Sequence, residues 1–199
     1  MPNLYIISGP NGAGKTTASM QILKDWLKCD TFCNADEIAK GLNPLNPESS
    51  SIQAAKILLM RIDSLMKSGV DFAVETTLAT KMYSNLIRRA HESGYSVTLL
   101  FLWLNMPSLA VERVKLRVLS GGHNIPEESI RRRYVQGIVN LFERYLPLVD
   151  YWIVVDNSYS PVEIVVEGGR EITTKIHNKT KLNQIIDIYE RNRGKRTEG

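Results

Sequence analysis

A run near the start of the chain has the residue types and spacing needed to hold nucleotide phosphates. It fits the pattern G-x-x-x-x-G-K-T and reads Gly9-Pro10-Asn11-Gly12-Ala13-Gly14-Lys15-Thr16, followed by Thr17. Glycines let a loop turn its backbone N–H groups inward, and the N-terminus of a following helix adds positive partial charge. A lysine here reaches the β- and γ-phosphates, and a threonine hydroxyl can bind Mg²⁺. We therefore expect this run to bind a nucleoside triphosphate.

Two acidic positions later in the chain have the chemistry to handle an acceptor or a metal ion. Asp36 follows a short apolar segment, and Glu75 and Thr77 follow another. Asp36 is placed to orient or deprotonate an acceptor hydroxyl, while capping the N-terminus of a helix over 37–40 is the competing interpretation. Glu75 and Thr77 would orient the acceptor or water bound to Mg²⁺, with simple strand termination as the alternative.

A basic segment, about residues 113–134, is predicted to form a lid. Two arginine-bearing helices flank a loop that contains Gly121, Gly122 and Pro126, and glycines give such a loop hinge freedom. Consecutive helical residues point in different directions, so the arginines cannot all aim at one ligand. We favour Arg117 and Arg133 as phosphate contacts and Arg131 more weakly. Three basic residues are expected on a solvated helix face instead, namely Arg113, Lys115 and Arg132.

These residues must be positioned by an alternation of strands and helices. The apolar runs predict strands at 3–8, 31–36, 70–74, 95–104 and 151–155, with helices at 15–28, 48–68, 80–93 and from Pro107 onward. Such alternation indicates an α/β fold with a doubly wound, five-stranded parallel sheet and helices on both faces. Ligands in these sheets lie at the carboxyl ends of the strands, where the candidate residues converge.

The C-terminal part is predicted to add a β-hairpin and a helix, over about 162–190. The hairpin would turn at Gly168-Gly169, and the helix would run over 181–189. The whole chain of 199 residues then forms a single domain. The polar tail from Arg191 is expected to be solvated, and His123 is expected to be a loop or capping residue rather than a metal ligand.

The amino-acid composition limits the classes of protein to which the chain can belong. Hydrophobic residues make up 43%, charged residues 23%, and the net charge is +4. These values suit a protein with a packed core, and an anion-binding enzyme or a nucleic-acid-binding protein would both show this charge. Cys29 and Cys33 lack a second pair to complete a metal site, so we expect reduced thiols. We expect neither a signal peptide nor a membrane span, and hence a cytoplasmic location.

Two other kinds of P-loop protein are disfavoured. A GTPase needs an N/T-K-x-D motif, and the nearest match, at 178–181, has Lys181 where aspartate is required. A motor ATPase needs an acidic residue after a strand next to the P-loop, whereas Asp156 follows the last predicted parallel strand. That position abuts the base in small kinases, which makes its neighbour Asn157 a candidate nucleotide contact.

The ordered set of motifs resembles the zeta toxin family of P-loop kinases. The motifs are the P-loop with Thr17, Asn34-Ala35-Asp36, Val74-Glu75-Thr76-Thr77 and the arginine lid, over roughly residues 3–158. Characterised zeta toxins transfer phosphate from ATP, with Mg²⁺, to the sugar 3-hydroxyl of UDP-N-acetylglucosamine, and an antitoxin holds them inactive. The resemblance implies ATP contacts at Lys15, Mg²⁺ binding at Thr16, a catalytic base at Asp36, an acceptor-side element at Glu75 and Thr77, and lid arginines at Arg117 and one of Arg131 or Arg133.

The sequence therefore predicts an ATP- and Mg²⁺-dependent kinase that acts on a small-molecule hydroxyl, with a nucleotide sugar and an antitoxin as candidate partners. Mg²⁺ would be held by Thr16 and, partly through water, by Glu75. One alternative is a nucleotide-dependent switch that hydrolyses ATP slowly and has no acceptor. A nucleic-acid end kinase ranks lowest, because no stripe of aromatic residues suggests base stacking.

Overall fold

The architecture is a seven-stranded sheet surrounded by helices, seen in a computed structural model that describes residues 1–21, 27–122 and 124–194. The strands are β1 (Asn3–Ser8), β2 (Phe32–Cys33), β3 (Phe72–Thr76), β4 (Ser96–Trp103), β5 (Tyr151–Asp156), β6 (Glu163–Gly169) and β7 (Lys175–Ile176). The helices are α1 (Lys15–Gln21), α2 (Ala35–Leu42), α3 (Ser51–Ser68), α4 (Met82–Glu92), α5 (Pro107–Leu119), α6 (Glu127–Asn140) and α7 (Lys179–Asn192).

The strand order is β2-β3-β1-β4-β5-β6-β7, and the first five strands are parallel. The predicted five-stranded parallel sheet is therefore confirmed. The P-loop follows β1 at the centre, with β3 and β2 on one side and β4 and β5 on the other. Every residue of β1 from Leu4 to Ser8 is buried, as expected for a strand covered on both faces.

The sequence suggested that the sheet ends at β5, but the sheet continues with two further strands. β6 pairs antiparallel with β5, and β7 pairs antiparallel with β6. The predicted turn at Gly168-Gly169 is wrong, because both glycines belong to β6. A Cβ at Gly168 would lie 2.7 Å from the Trp152 ring, and one at Gly169 would lie 2.3 Å from the Asp150 carbonyl oxygen. These glycines permit close packing against β5, and the chain reverses between β6 and β7.

Most predicted elements are found, with shifted ends. β3 begins two residues later than predicted, so Glu75 lies inside the strand, and β2 is only two residues long. The predicted first helix is described as far as Gln21, and residues 22–26 lie outside the described part of the chain. His123 and residues 195–199 of the tail also lie outside it. The final helix is longer than predicted, because Asn178 caps it by accepting a hydrogen bond from Lys181 N.

Large apolar side chains fill the space between the sheet and the helices. Phe72, Phe101 and Trp103 from the strands and Tyr134 and Tyr145 from the chain around α6 are fully buried. Two of these also fix backbone positions, since the Tyr134 hydroxyl donates to the Leu104 carbonyl oxygen at 2.6 Å and the Tyr145 hydroxyl donates to that of Thr80. The core thereby fixes α6 against the carboxyl ends of β3 and β4, beside the P-loop.

Candidate active site

The P-loop is packed tightly against β4 and α5. A Cβ at Gly9 would lie 2.2 Å from the Leu102 carbonyl oxygen, and one at Gly12 would lie 2.6 Å from that of Ala110. Both glycines also have positive φ angles, of 142° and 77°. Larger residues would therefore clash and strain the backbone. This packing holds the loop in a fixed shape, with Lys15 at the start of α1.

Lys15 and Glu75 form a nearly buried pair of opposite charges at the mouth of the loop. Lys15 Nζ lies 3.8 Å from Glu75 Oε1, and the side chains are only 7% and 11% exposed. Lys15 Nζ also donates to the Pro10 carbonyl oxygen at 3.0 Å. Burial lowers the pKa of Lys15 and raises the pKa of Glu75, although each group favours the charged form of the other. Bound phosphate would add negative charge beside this ammonium and so favour its charged form further.

The Glu75 carboxylate is the meeting point of three elements. Its Oε2 atom accepts hydrogen bonds from Thr16 Oγ1 and from Asn34 Nδ2, each at 2.9 Å. The predicted Mg²⁺ residues, Thr16 and Glu75, are thus in direct contact. Mg²⁺ prefers oxygen ligands and often takes only one or two from the protein, with water and phosphate completing its shell. A hydroxyl and a carboxylate beside the phosphate loop fit this requirement.

Asn34 caps α2, a role that the sequence analysis had considered for Asp36. Asn34 Oδ1 accepts hydrogen bonds from the backbone N–H groups of Asp36 and Glu37, at 2.8 and 3.4 Å. The Asp36 side chain is not used for capping and is exposed in the first turn of α2. The capping interpretation of Asp36 is therefore wrong. Asn34 was missed, although an asparagine two residues before a helical acidic pair is a recognised capping signal.

Arg113 is not a solvated residue, which corrects the expectation for the face of α5. Its guanidinium donates to the carbonyl oxygens of Asn157 and Ser158, at 2.9 and 2.7 Å, and it is half-buried. It packs against the P-loop, since a Cβ at Gly12 would lie 3.2 Å from its own Cβ. The sequence spacing could have indicated this position, because Arg113 lies four residues before Arg117 and so shares a helix face with it.

Asn157 contacts the P-loop itself. Its side-chain amide donates to the Ala13 carbonyl oxygen at 2.7 Å, and its Nδ2 atom approaches Gly14 closely. Asn157 is not among the described residues that line the cavity in front of the loop. The structure thus places this predicted nucleotide contact against the P-loop backbone, outside the described lining of the cavity.

The lid arginines divide into two groups. Arg117 lines the cavity, and Arg133 Nη1 lies 3.5 Å from Asn11 Oδ1 of the P-loop. Arg131 instead pairs with Glu127 at 2.8 Å, and Lys115 lies 3.4 Å from the same carboxylate. The solvated positions of Lys115 and Arg132 are as predicted. The structure therefore brings Arg117 and Arg133 to the P-loop but leaves Arg131 outside.

A cavity of about 320 Å³ opens in front of the P-loop. It brings together P-loop residues, both acidic candidates and the basic face of α5. The described residues that line it are Asn11, Gly12, Gly14, Lys15, Thr16, Thr17, Asn34, Asp36, Glu37, Lys40, Glu75, Arg113 and Arg117. Thr77 is not among them. Its carbonyl oxygen instead faces Gly137 of α6, where a Cβ would lie 2.6 Å away.

Asp156 is engaged in an ion pair with α7. It is 4% exposed and lies 2.6 Å from Lys181 Nζ of α7. It also accepts hydrogen bonds from the backbone N–H and the hydroxyl of Ser158. Burial alone would raise the pKa of Asp156, but the hydrogen bonds from Lys181 and Ser158 outweigh it and hold that pKa below its usual range.

Two kinds of feature are absent from the described residues. Across 1–21, 27–122 and 124–194, no group of three or more histidine, cysteine, aspartate or glutamate side chains is arranged to hold a metal ion. Within the same ranges, no helix has the length and apolar character required to cross a lipid bilayer. Cys29 and Cys33 are free and buried.

The parallel sheet order, the phosphate loop after β1 and the arginine-bearing helices after β4 define a P-loop protein with the fold of small kinases. The Zeta toxin family model matches residues 1–158, so the chain belongs to the Zeta toxin family. An uncharacterized protein of Haemophilus influenzae (strain ATCC 51907 / DSM 11121 / KW20 / Rd) is 31% identical over 132 residues, which cover 63% of this chain and 88% of that protein.

Solved structures share this fold at low sequence identity. A crystal structure of AvrRxo1-ORF1:-ORF2 with ATP has a TM-score of 0.70 and 18% identity over 93% of this chain, which spans 63% of the length of that chain. A structure of the PezAT chromosomal toxin-antitoxin system of Streptococcus pneumoniae has a TM-score of 0.65 and 16% identity, covering 96% of this chain and 86% of that one. These similarities show a common fold.

Proposed function

We propose that this protein is a kinase that transfers the γ-phosphoryl group of ATP to a hydroxyl of a small molecule. The observation that carries the proposal is the exposed Asp36 carboxylate, which lines the same cavity as Lys15 and Glu75. An acid in this position, which does not cap the helix that carries it, is what a kinase needs to receive the proton of an acceptor hydroxyl.

The cationic residues would bind the triphosphate and stabilise charge on the transferred group. Lys15 and the N-terminus of α1 face the β- and γ-phosphates, and Arg117 and Arg133 approach from the lid. Fixed donors of this kind stabilise charge that develops in the transition state, and removing one typically costs on the order of 10²–10³ in rate. Arg131 would have no direct part, since it is paired with Glu127.

Thr16 and Glu75 would hold Mg²⁺, Glu75 partly through water. Bound Mg²⁺ would neutralise charge on the β- and γ-phosphate oxygens. Asn34 would keep the Glu75 carboxylate aimed at Thr16 by donating a hydrogen bond to it. These contacts give the buried carboxylate a role beyond pairing with Lys15.

Asp36 would orient the acceptor hydroxyl and take its proton. As the bond between the acceptor oxygen and the γ-phosphorus forms, the bond from that phosphorus to the β–γ bridging oxygen breaks, and ADP leaves. The acceptor proton passes to the Asp36 carboxylate. Membership of the Zeta toxin family makes UDP-N-acetylglucosamine the first acceptor to test. Thr77 would act on the acceptor side only if the cavity changes shape, because it does not line the cavity here.

Radiolabelled phosphate transfer from ATP, assayed with UDP-sugars, nucleosides and sugars, tests the proposal. Lys15→Ala should abolish turnover, and Asp36→Asn should keep ATP binding but lose transfer. Arg131→Gln provides the matched control and should behave like the parent protein. Transfer at the parental rate by Asp36→Asn would refute the base assignment. ATP hydrolysis that no acceptor stimulates would instead favour a nucleotide-dependent switch.

We also propose an antitoxin partner and a cytoplasmic location. The first is supported by family membership and by the fold shared with a protein of a toxin-antitoxin system. The second is supported by the two buried free thiols, which suit a reducing compartment. Co-purification with the product of an adjacent small reading frame, with loss of kinase activity in the complex, tests the partner.

A further inference from the structure

The connection between β3 and α4, residues 77–81, has an unusual backbone just after Glu75. Leu78 has a φ of 56° although it is not a glycine, and its side chain is fully buried. The left-handed region is unfavourable for leucine, because its Cβ comes too close to the following carbonyl oxygen. Such a conformation persists only where surrounding contacts hold it, and residues held in this way cluster at functional sites. The contacts that hold Leu78 therefore bear on Thr77 and Glu75, which precede it.

Those contacts come from α6 and from the turn that follows it. Asn140, the last residue of α6, donates a hydrogen bond from Nδ2 to the Leu78 carbonyl oxygen at 2.7 Å. The Tyr145 hydroxyl donates to the carbonyl oxygen of Thr80. The chain after Asn140 is a π-helical turn, Leu141–Tyr145, and π turns are frequent at functional sites. Two side chains five residues apart, the repeat of a π-helix, thus hold two carbonyl oxygens of one connection.

The Asn140 amide is buried and its orientation is determined by its neighbours. The residue is 2% exposed, and its Oδ1 atom accepts a hydrogen bond from Gln136 Nε2 at 3.1 Å. A carbonyl oxygen can only accept, so the amide nitrogen must face Leu78. Because the bond is buried, no water replaces the donor if it is removed, and the carbonyl group is left unsatisfied. A side chain without a donor at position 140 would therefore release the connection.

The same helix also reaches the P-loop. Arg133 Nη1 lies 3.5 Å from Asn11 Oδ1, and Arg133 and Asn140 are about two turns apart on one side of α6. The helix itself is fixed by Tyr134, whose hydroxyl donates to the Leu104 carbonyl oxygen at 2.6 Å. α6 thus contacts the P-loop through Arg133 and holds the connection after β3 through Asn140.

We propose that Asn140 is a positioning residue for phosphate transfer, which fixes the connection after β3 and so sets Glu75 and Thr77 relative to Arg133. It acts through the Leu78 carbonyl oxygen and is not among the described residues that line the P-loop cavity. The inference rests on the proposed kinase function.

Loss of this hydrogen bond slows transfer without weakening ATP binding. The shape of the P-loop is set by its packing on β4 and α5, and Lys15 lies at the start of α1. Arg133 stays in place because Tyr134 still holds α6. The released connection instead misplaces Thr77 and the backbone at Glu75. A displacement of about 1 Å in groups that position reactants can cost on the order of 10²-fold in rate.

Transfer kinetics test the proposed role. The full-length protein is incubated with radiolabelled ATP and a deproteinised bacterial metabolite extract, and labelled small molecules are measured at several ATP concentrations. Asn140→Ala should lower the apparent kcat on the order of 10²-fold and leave KM for ATP unchanged. Asn140→Asp keeps the shape of the side chain but sets an oxygen against the Leu78 carbonyl, so it should act in the same way. A raised KM for ATP with a parental kcat would overturn the inference.

Tyr95→Phe is the matched control, because it also removes a buried donor from backbone carbonyl groups. The Tyr95 hydroxyl donates to the carbonyl oxygens of Leu65 and Val70, at 3.1 and 2.9 Å, near the amino ends of β3 and β4. This variant should lose stability and keep the parental kcat per folded molecule, with the folded fraction measured by circular dichroism. If Asn140→Ala loses activity only in proportion to its folded fraction, the role of Asn140 is merely structural and the inference fails.

Hydrogen exchange tests the contact without any acceptor. Asn140→Ala should speed exchange of the backbone amides in residues 77–81 and leave β1 protected. If the parent protein forms no labelled product from the extract, the kinase proposal fails and this inference fails with it. If product forms, but Asn140→Ala transfers phosphate at the parental rate or leaves exchange in 77–81 unchanged, the kinase proposal stands and Asn140 has no positioning role.

Discussion

The side-chain amide of Asn34 lies 2.9 Å from the Glu75 carboxylate and donates a hydrogen bond to it. The side-chain carbonyl oxygen of Asn34 caps α2 and so fixes the first turn of this helix, which carries Asp36. One asparagine therefore links the helix that holds the proposed base to the carboxylate beside the phosphate loop. Its two roles can be separated by substitution.

Asn34→Asp should retain the helix cap and lose activity. Aspartate caps helices as well as asparagine does, but it would set a second carboxylate against Glu75. The repulsion should raise the pKa of Glu75 further and weaken binding of Mg²⁺-ATP. Asn34→Ala should lose both roles and destabilise the protein by about 1 kcal/mol. Denaturant unfolding and ATP titration measure the two effects, and Asn34→Asp with parental ATP affinity would contradict this interpretation.

Glu75→Gln should abolish phosphate transfer and remove the fall in stability that Glu75 causes in the ligand-free protein as pH rises. Burial raises the pKa of Glu75 despite Lys15 and two hydrogen bonds, so folding favours its protonated form. The folded state then binds more protons than the unfolded state between the ordinary and the raised pKa, and stability falls as pH rises through that window. The amide is neutral and its oxygen can still accept from Thr16 and Asn34.

The measurement is thermal unfolding of the parent and Glu75→Gln from pH 4 upward. The variant should gain in melting temperature relative to the parent as pH rises, by about 2–4 °C for each kcal/mol. Glu190→Gln is the control, because Glu190 forms an exposed pair with Arg193 at 2.7 Å, and such pairs contribute little. If the difference in melting temperature between parent and variant does not widen with pH, the raised pKa of Glu75 is not the cause.

Arg113→Lys should weaken ATP binding about ten-fold, mainly by loosening the loop that supports the P-loop. Lysine lacks the planar fork with which Arg113 reaches both carbonyl oxygens, so at least one of these hydrogen bonds should be lost, and each hydrogen bond to a charged group contributes about 1.5–3 kcal/mol. The loop after β5 would loosen, and with it the Asn157 amide that holds the Ala13 carbonyl oxygen. Isothermal titration with an ATP analogue gives the affinity.

A double-mutant cycle makes this prediction sharper. If Arg113 acts on the P-loop through Asn157, then Arg113→Lys and Asn157→Ala should be clearly non-additive, with the double variant little worse than either single one. Lys115→Gln, two residues along the same helix but on its exposed face, should leave affinity unchanged. Additive effects would show that the two residues act independently.

Much of the site was predictable because it lies in contiguous sequence or directly at a strand end. The P-loop is a continuous motif, and parallel strands bring Asp36 and Glu75 to one edge of the sheet. Arg113 was misassigned because the sequence does not show which face of α5 packs on the P-loop. The turn at Gly168-Gly169 was misplaced because glycine serves both tight turns and close strand packing, and the neighbours Trp152 and Asp150, which distinguish the two, are known only from the fold.

Two glycines in helices should respond oppositely to alanine, because only one of them has a neighbour in its way. At Gly137 of α6 a Cβ would lie 2.6 Å from the Thr77 carbonyl oxygen, a backbone atom that cannot move aside cheaply. Gly137→Ala should therefore destabilise the protein by about 1–3 kcal/mol. At Gly41 of α2 nothing lies within 4 Å, so Gly41→Ala should gain helix propensity and stabilise by about 0.5–1 kcal/mol.

Denaturant unfolding of both variants measures these free energies, and ATP titration separates local from global effects. Gly137 marks where α6 packs on the chain after β3, so pushing that contact apart should also shift Arg133, one turn earlier on α6, and lower ATP affinity. Gly41→Ala touches no such contact and should bind ATP as the parent does. Equal stability of Gly137→Ala and the parent would mean that α6 does not approach Thr77 this closely.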